Sequence, residues 1–112
     1  MVAIDWKCNP NEFNVIYGIE FYGYSKDIFS DGNDLVARYI GQTTRTVRER
    51  INEHIKKKHC AVNEYLRYNP IKKIVVYSIK AEASELNYLE RQYISAYKDN
   101  KEIPLINRKL YW

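Results

Sequence analysis

Cysteine is scarce: Cys8 and Cys60 are the only two in 112 residues. They stand far apart without the close pairing of metal ligands, which argues against a zinc site or a disulfide framework and leaves two reduced, inert thiols. Long apolar runs are absent as well. None approaches the ~18 residues of a membrane span, and the opening MVAIDWKCNP carries no signal-peptide pattern, so the expectation is a soluble, cytoplasmic chain. Length is limited too, since 112 residues at 46% hydrophobic hold one core and leave no room for a second domain. Positive charge is scarce in the first third. Residues 1–37 hold two lysines against six acids, net −4, whereas residues 38–112 hold sixteen cations against eight acids, net +8. A basic face of that kind suits a polyanion such as nucleic acid, or else is simply solvated. The 11 tyrosines could stack on bases, but Lys, Asn and Ile are also heavily used, so the aromatic count by itself names no partner.

What is present reads as alternating elements. Residues 1–13 look like an irregular lead-in, turned at Asn9-Pro10-Asn11 and pinned by Trp6 and Phe13. Val15, Tyr17, Ile19 and Phe21 then alternate onto one face of a strand over residues 14–22. A long, turn-rich hairpin loop over 23–34 leads to a second strand over 35–41. Thr46-x-x-Glu49 has capping-box spacing, which starts a helix near Val47 that runs to Lys58. Val62, Tyr65 and Leu66 suggest a short second helix closed by Pro70. Residues 72–80 read as a third strand, and Leu86, Leu89, Tyr93, Ile94 and Tyr97 as an amphipathic third helix. The expected fold is a single α+β domain over residues 1–112, a small three-stranded antiparallel sheet flanked by about three helices.

Two polar anomalies interrupt these patterns. On the first helix the apolar seam Val47, Ile51, Ile55 would be widened by positions 50, 54 and 58, which are Arg50, His54 and Lys58. Arg50 and His54, four residues apart, point the same way beside a packed seam and should be half buried. On the third helix Glu90 falls inside the apolar stripe, where a carboxylate is costly without a cation beside it. A metal ion or a structural salt bridge to Arg50 would satisfy it equally well.

Val15-Ile16-Tyr17-Gly18-Ile19 looks like the first signature of the GIY-YIG nuclease superfamily, and Tyr39-Ile40-Gly41-Gln42-Thr43-Thr44 resembles the second closely. Arg50-x-x-x-His54 sits where that family carries its helix arginine and a frequent histidine. Glu90-x-x-Tyr93-Ile94 is similar to the family's metal-binding glutamate, and Leu105-Ile106-Asn107 to its C-terminal asparagine. The resemblance covers residues 14–108, six elements in order. It departs from the pattern at Val15, which replaces a glycine, and in the 21 residues between Tyr17 and Tyr39, about twice the usual family hairpin.

This resemblance implies a stand-alone module, a metal-dependent DNA endonuclease that hydrolyses phosphodiester bonds at a single active site. A catalytically inactive nucleic-acid-binding or interaction module with the same fold is the alternative. It implies catalytic roles for Tyr17, Tyr39, Arg50, His54, Glu90 and Asn107, with Tyr17 as the base and His59 able to replace His54. Glu90 would hold the metal, Mg²⁺ by preference or Mn²⁺, which needs few protein oxygens because it keeps several waters. Arg50 would bind the scissile phosphate. A phenol with pKa near ~10 is a poor base unless nearby cations lower it. Arg45, Arg48, Lys56, Lys57 and Lys58 lie outside the family's constant positions and are expected on the DNA backbone. One site cuts one strand, so double-strand cleavage would require a homodimer, a partner subunit or two events.

Overall fold

A computed structural model describes residues 2–24, 33–58 and 60–107 of the chain. In chain order the strands are β1 (Ala3–Trp6), β2 (Phe13–Tyr24), β3 (Asn33–Thr46) and β4 (Ile71–Lys80). The helices are α1 (Val47–Lys56), α2 (Ala61–Tyr68) and α3 (Leu86–Tyr97), with a 3-10 turn at Ala83–Glu85 before α3. The strands form one sheet in the order β1-β4-β2-β3, in which β2 pairs antiparallel with both neighbours and β1 runs parallel to β4.

The α+β class is as expected, but the sheet has four strands and is mixed, where three antiparallel strands were predicted. The extra strand lies in the supposed lead-in. Ala3-Ile4-Asp5-Trp6 pairs with Lys73 to Val76, and Ile4 and Trp6 pack on the core. The turn at Asn9-Pro10-Asn11 is present, closed by the Glu12 amide donating to the Asn9 carbonyl. Phe13, however, does not pin anything: it is 53% exposed, with the Lys80 ammonium over its ring. Both ends of the predicted loop are strand, since the ladder continues through Tyr22–Leu35, Gly23–Asp34 and Tyr24–Asn33. The tip of that hairpin lies outside the described residues.

Alternation along β2 divides the interior in two. Val15, Tyr17, Ile19 and Phe21 face a core completed by Val47 and Ile51 of α1, Val62 of α2, and Ile74 and Val76. Ile16 faces the other way, into a second cluster with Ile40, Leu86 and Ile94 of α3, and Leu105. The sheet therefore carries α1 and α2 on one face and α3 on the other, and β3 is the edge around which both layers can meet.

That edge is closed by the segment after α3. The Arg38 amide donates to the Pro104 carbonyl at 3.0 Å, and the Ile106 amide donates to the Arg38 carbonyl at 2.9 Å, as in a short parallel strand. Asn107, 7% exposed, then grips Ile40 with both ends of its amide. Its Oδ1 accepts from the Ile40 amide at 3.0 Å and its Nδ2 donates to the Ile40 carbonyl at 2.6 Å. Unpaired edge groups that would otherwise need water are satisfied from within the chain.

Candidate active site

β3 passes straight into α1, and the switch occurs where Thr46 takes the N-cap. The Thr46 hydroxyl oxygen accepts from the Glu49 amide at 3.2 Å, one half of the expected capping box, while the Glu49 carboxylate accepts from the Thr46 hydroxyl at 2.9 Å, where the box would have it take the Thr46 amide. This fixes the rotation of α1. Val47, Ile51 and His54 are buried as a result and Arg50 is half buried, whereas Lys58 lies past the helix end and is exposed. Of the three positions expected to widen the seam, only Arg50 and His54 do so.

Tyr17 and Gly41 are directly opposite in the β2–β3 ladder, so Tyr17 lies across Gly41. A methyl group at 41 would collide with the phenolic oxygen and ring carbons of Tyr17, which explains why only glycine fits there. Lying flat, the Tyr17 Oη comes to 2.5 Å from Nε2 of His54. Tyr39, two residues before Gly41, stacks near Tyr17 with ring centroids 6.3 Å apart and meets the His54 ring edge-on at 5.1 Å. Tyr17 is 1% exposed, so Tyr39 is the more open phenol of the two.

Electrostatics separates the roles of these groups. Burial pushes the Tyr17 phenol well above its usual range, helped by Tyr39, and the nearby Arg50 only partly offsets it. The expectation that cations make this phenol more acidic is thus not met, because desolvation outweighs a single guanidinium. Burial also pushes His54 down, to about 4, with Arg50 adding to the effect. A neutral His54 beside a protonated phenol means that Tyr17 donates and Nε2 accepts, which leaves the proton of the ring on Nδ1, a buried atom with no partner among the described residues.

Arg50 does not pair with Glu90. Its Nη1 donates to Glu53 Oε1 at 2.5 Å, and Arg45 holds the other oxygen of the same carboxylate. Glu53 was not singled out from the sequence: an acid three residues after an arginine on a helix looks like a routine surface pair. Its bridging of two arginines is what holds the Arg50 guanidinium in place, and the hydrogen bond from Arg45 holds the Glu53 carboxyl below its usual range.

Glu90 approaches the same cluster from the opposite layer, round the edge of β3. Burial raises its carboxyl, while a hydrogen bond from Gln42 and the charges of Arg50 and Arg91 work against the rise. Gln42, three residues past Tyr39 on the α3 side of the strand, also donates from Nε2 to the side-chain Oδ1 of Asn87 at 2.5 Å. It was quoted in the motif but given no role; its place between β3 and α3 shows it positioning the acid. Among the described residues Glu90 has no ion pair, and no three His, Cys, Asp or Glu side chains gather in one place. A single desolvated carboxylate, its cationic neighbour already engaged, fits a hard divalent ion that draws its remaining ligands from water and substrate.

The other predicted residues lie further out. Asn107 spends its whole amide on Ile40, between Tyr39 and Gly41, so it braces the strand that carries the site. Arg45, Lys56, Lys57 and Lys58 are exposed on the α1 side, and Arg48 is exposed with its guanidinium over the Trp6 ring. His59 lies outside the described residues.

Two phenols backed by a neutral histidine thus face a clamped arginine and a lone acid across one edge of the sheet. Residues 15–103 match the GIY-YIG catalytic domain, and the chain belongs to that family of nucleases. Neither a curated protein nor a solved structure matches significantly. No helix among the described residues is long and apolar enough to cross a membrane.

Proposed function

We propose that this protein is a metal-dependent DNA endonuclease that hydrolyses phosphodiester bonds at one active site per chain. The observation that carries the proposal is the 2.5 Å hydrogen bond from Tyr17 to a buried, neutral His54 within the field of Arg50. A structural tyrosine has no need of so costly an arrangement.

Arg50, clamped by Glu53, binds the scissile phosphate and answers the charge that builds on it in the transition state. Tyr39, on the open side, holds the attacking water. Tyr17 takes a proton from that water as its own proton passes to Nε2 of His54, so no free phenolate has to form in a buried site. The end state is a neutral Tyr17, an imidazolium at His54 and a hydroxide committed to phosphorus. Glu90, oriented by Gln42, holds Mg²⁺ or Mn²⁺, which when bound supplies neutralisation of the phosphate's charge.

Supercoiled-plasmid cleavage with Mg²⁺ at low salt tests this reading. The wild-type protein should nick the plasmid, and EDTA or Glu90→Gln should abolish nicking. Tyr17→Phe should slow it by about 10²-fold or more, the usual scale of a proton-transfer contribution. Plasmid that is retarded but never nicked would overturn the enzyme in favour of a binding module. Wild-type rates in both Tyr17→Phe and His54→Ala would overturn the relay while sparing the enzyme.

A further inference from the structure

Among the described residues the α3 face of the sheet is only partly covered, and what remains open is a slot. It encloses about 300 Å³. Its floor is Gly18, where an added Cβ would meet nothing within 4 Å. Tyr77 and Ile79 of β4 form one wall, and Tyr93 and Tyr97 of α3 form the other. Tyr77 is 44% exposed, Ile79 52% and Tyr97 40%, a large apolar area for so small a chain to leave in water. At one end the Arg38 guanidinium lies over the Tyr97 ring, 5.3 Å from its centroid, and pairs with Glu20 at 3.4 Å.

We infer that this slot receives an unpaired nucleobase of the strand being cut. The inference rests on the nuclease reading and adds to it a substrate class, DNA with a single-stranded or extruded nucleotide beside the scissile bond. Three observations select this occupant. The slot is aromatic on both walls, and bases stack on tyrosine whatever their identity. It is charge-balanced, because Glu20 neutralises Arg38, so it suits a neutral heterocycle while the phosphates are left to Arg50 and the lysines. It also adjoins the candidate site, since Tyr17 and Tyr39 are among its lining residues and Glu90, Tyr93 and Tyr97 follow one another at i, i+3 and i+7 along one face of α3. Seven residues of helix span about 10 Å, which is about three nucleotides at ~3.4 Å each along a stacked strand. A strand whose scissile phosphate lies between Arg50 and Glu90 can therefore place a nearby base on Tyr97.

Gly18 supplies the test. A Cβ there has open space around it and valine is favoured in a strand, so Gly18→Val should fold at least as well as wild type while putting two methyl groups into the slot. The probe is a fluorescein-labelled 12-nucleotide oligothymidylate in EDTA, where binding is read by anisotropy and no cleavage is required, alongside the same oligonucleotide carrying abasic sites. Wild type should bind the oligothymidylate about tenfold more tightly than the abasic strand, the scale of one lost stack. Gly18→Val and Tyr97→Ala should bind both equally. If wild type does not distinguish the two strands, or if both variants keep the distinction, the slot is not a base site and the nuclease reading stands untouched. If wild type binds neither strand at low salt, the nucleic-acid reading fails with it. A wild-type dimer that Gly18→Val converts to monomer in sedimentation would instead assign the slot to a second copy and overturn the inference.

Discussion

His54 is 3% exposed and has one ring nitrogen without a partner among the described residues, so the folded protein resists placing a proton on it. Its pKa is about 4 in the fold against 6.5 for the free side chain. Between those values the unfolded chain binds more protons than the folded one, so stability is full above pH 6.5 and declines as the pH falls towards 4. A shift of this size corresponds to a loss of about 3 kcal/mol at most. Urea unfolding at pH 7.5 and pH 4.5 should show it as a drop in wild-type stability that exceeds the drop in His54→Gln. Equal losses in the two proteins would mean that other groups drive the acid effect. The same neutrality sustains the proposed relay, because an imidazolium could not accept the Tyr17 proton.

At the scale of elements, the β3–α1 junction carries most of the site, and its geometry depends on Gly41. Gly41→Ala would lift the Tyr17 ring off the strand and break its bond to His54. Cleavage should fall to the level of Tyr17→Phe, with a stability cost of about 1–3 kcal/mol as expected for overpacking, read from the plasmid assay and thermal melts. An unchanged rate would show that Tyr17 is not held in place by this contact. The strand alternation of residues 15–21 and the cap at Thr46 were legible in the sequence because both are local. So were Arg50, His54 and Glu90, each a polar group set into an apolar pattern, whereas Tyr17 read as part of an alternating apolar face and stood out only through its motif. β1 was not legible, since four residues are too few for a period to show and its partner lies about seventy residues away in a parallel pairing. Glu53 was hidden because its effect depends on Arg45 and Arg50 converging in space. Asn107 was read as a site residue from its motif alone, and only the register of the closing segment beside Ile40 reveals it as a brace.

At the scale of the whole molecule, Arg45, Arg48 and Arg50 stand at the β3–α1 junction, and a run of three lysines follows them where α1 ends. Lys56, Lys57 and Lys58 are exposed at the far end of α1 and are free to meet a backbone beyond the scissile bond. Binding of a duplex oligonucleotide in EDTA should weaken steeply with salt, and replacing the three lysines with serine should reduce the log–log slope by about 2 to 3, close to ~0.9 for each phosphate released. An unchanged slope would leave these lysines as solvated surface. The brace on β3 has a further consequence, for the order of assembly. Ile40 and Asn107 are separated by 67 positions, whereas Tyr17 and His54 are separated by 37. Contacts of long sequence separation carry the larger loop-closure cost and tend to form late. The strand that carries Tyr39 and Gly41 is therefore locked only when nearly the whole described chain has been made and folded, so a partly folded molecule holds the residues of the proposed site without the fixed edge that aligns them.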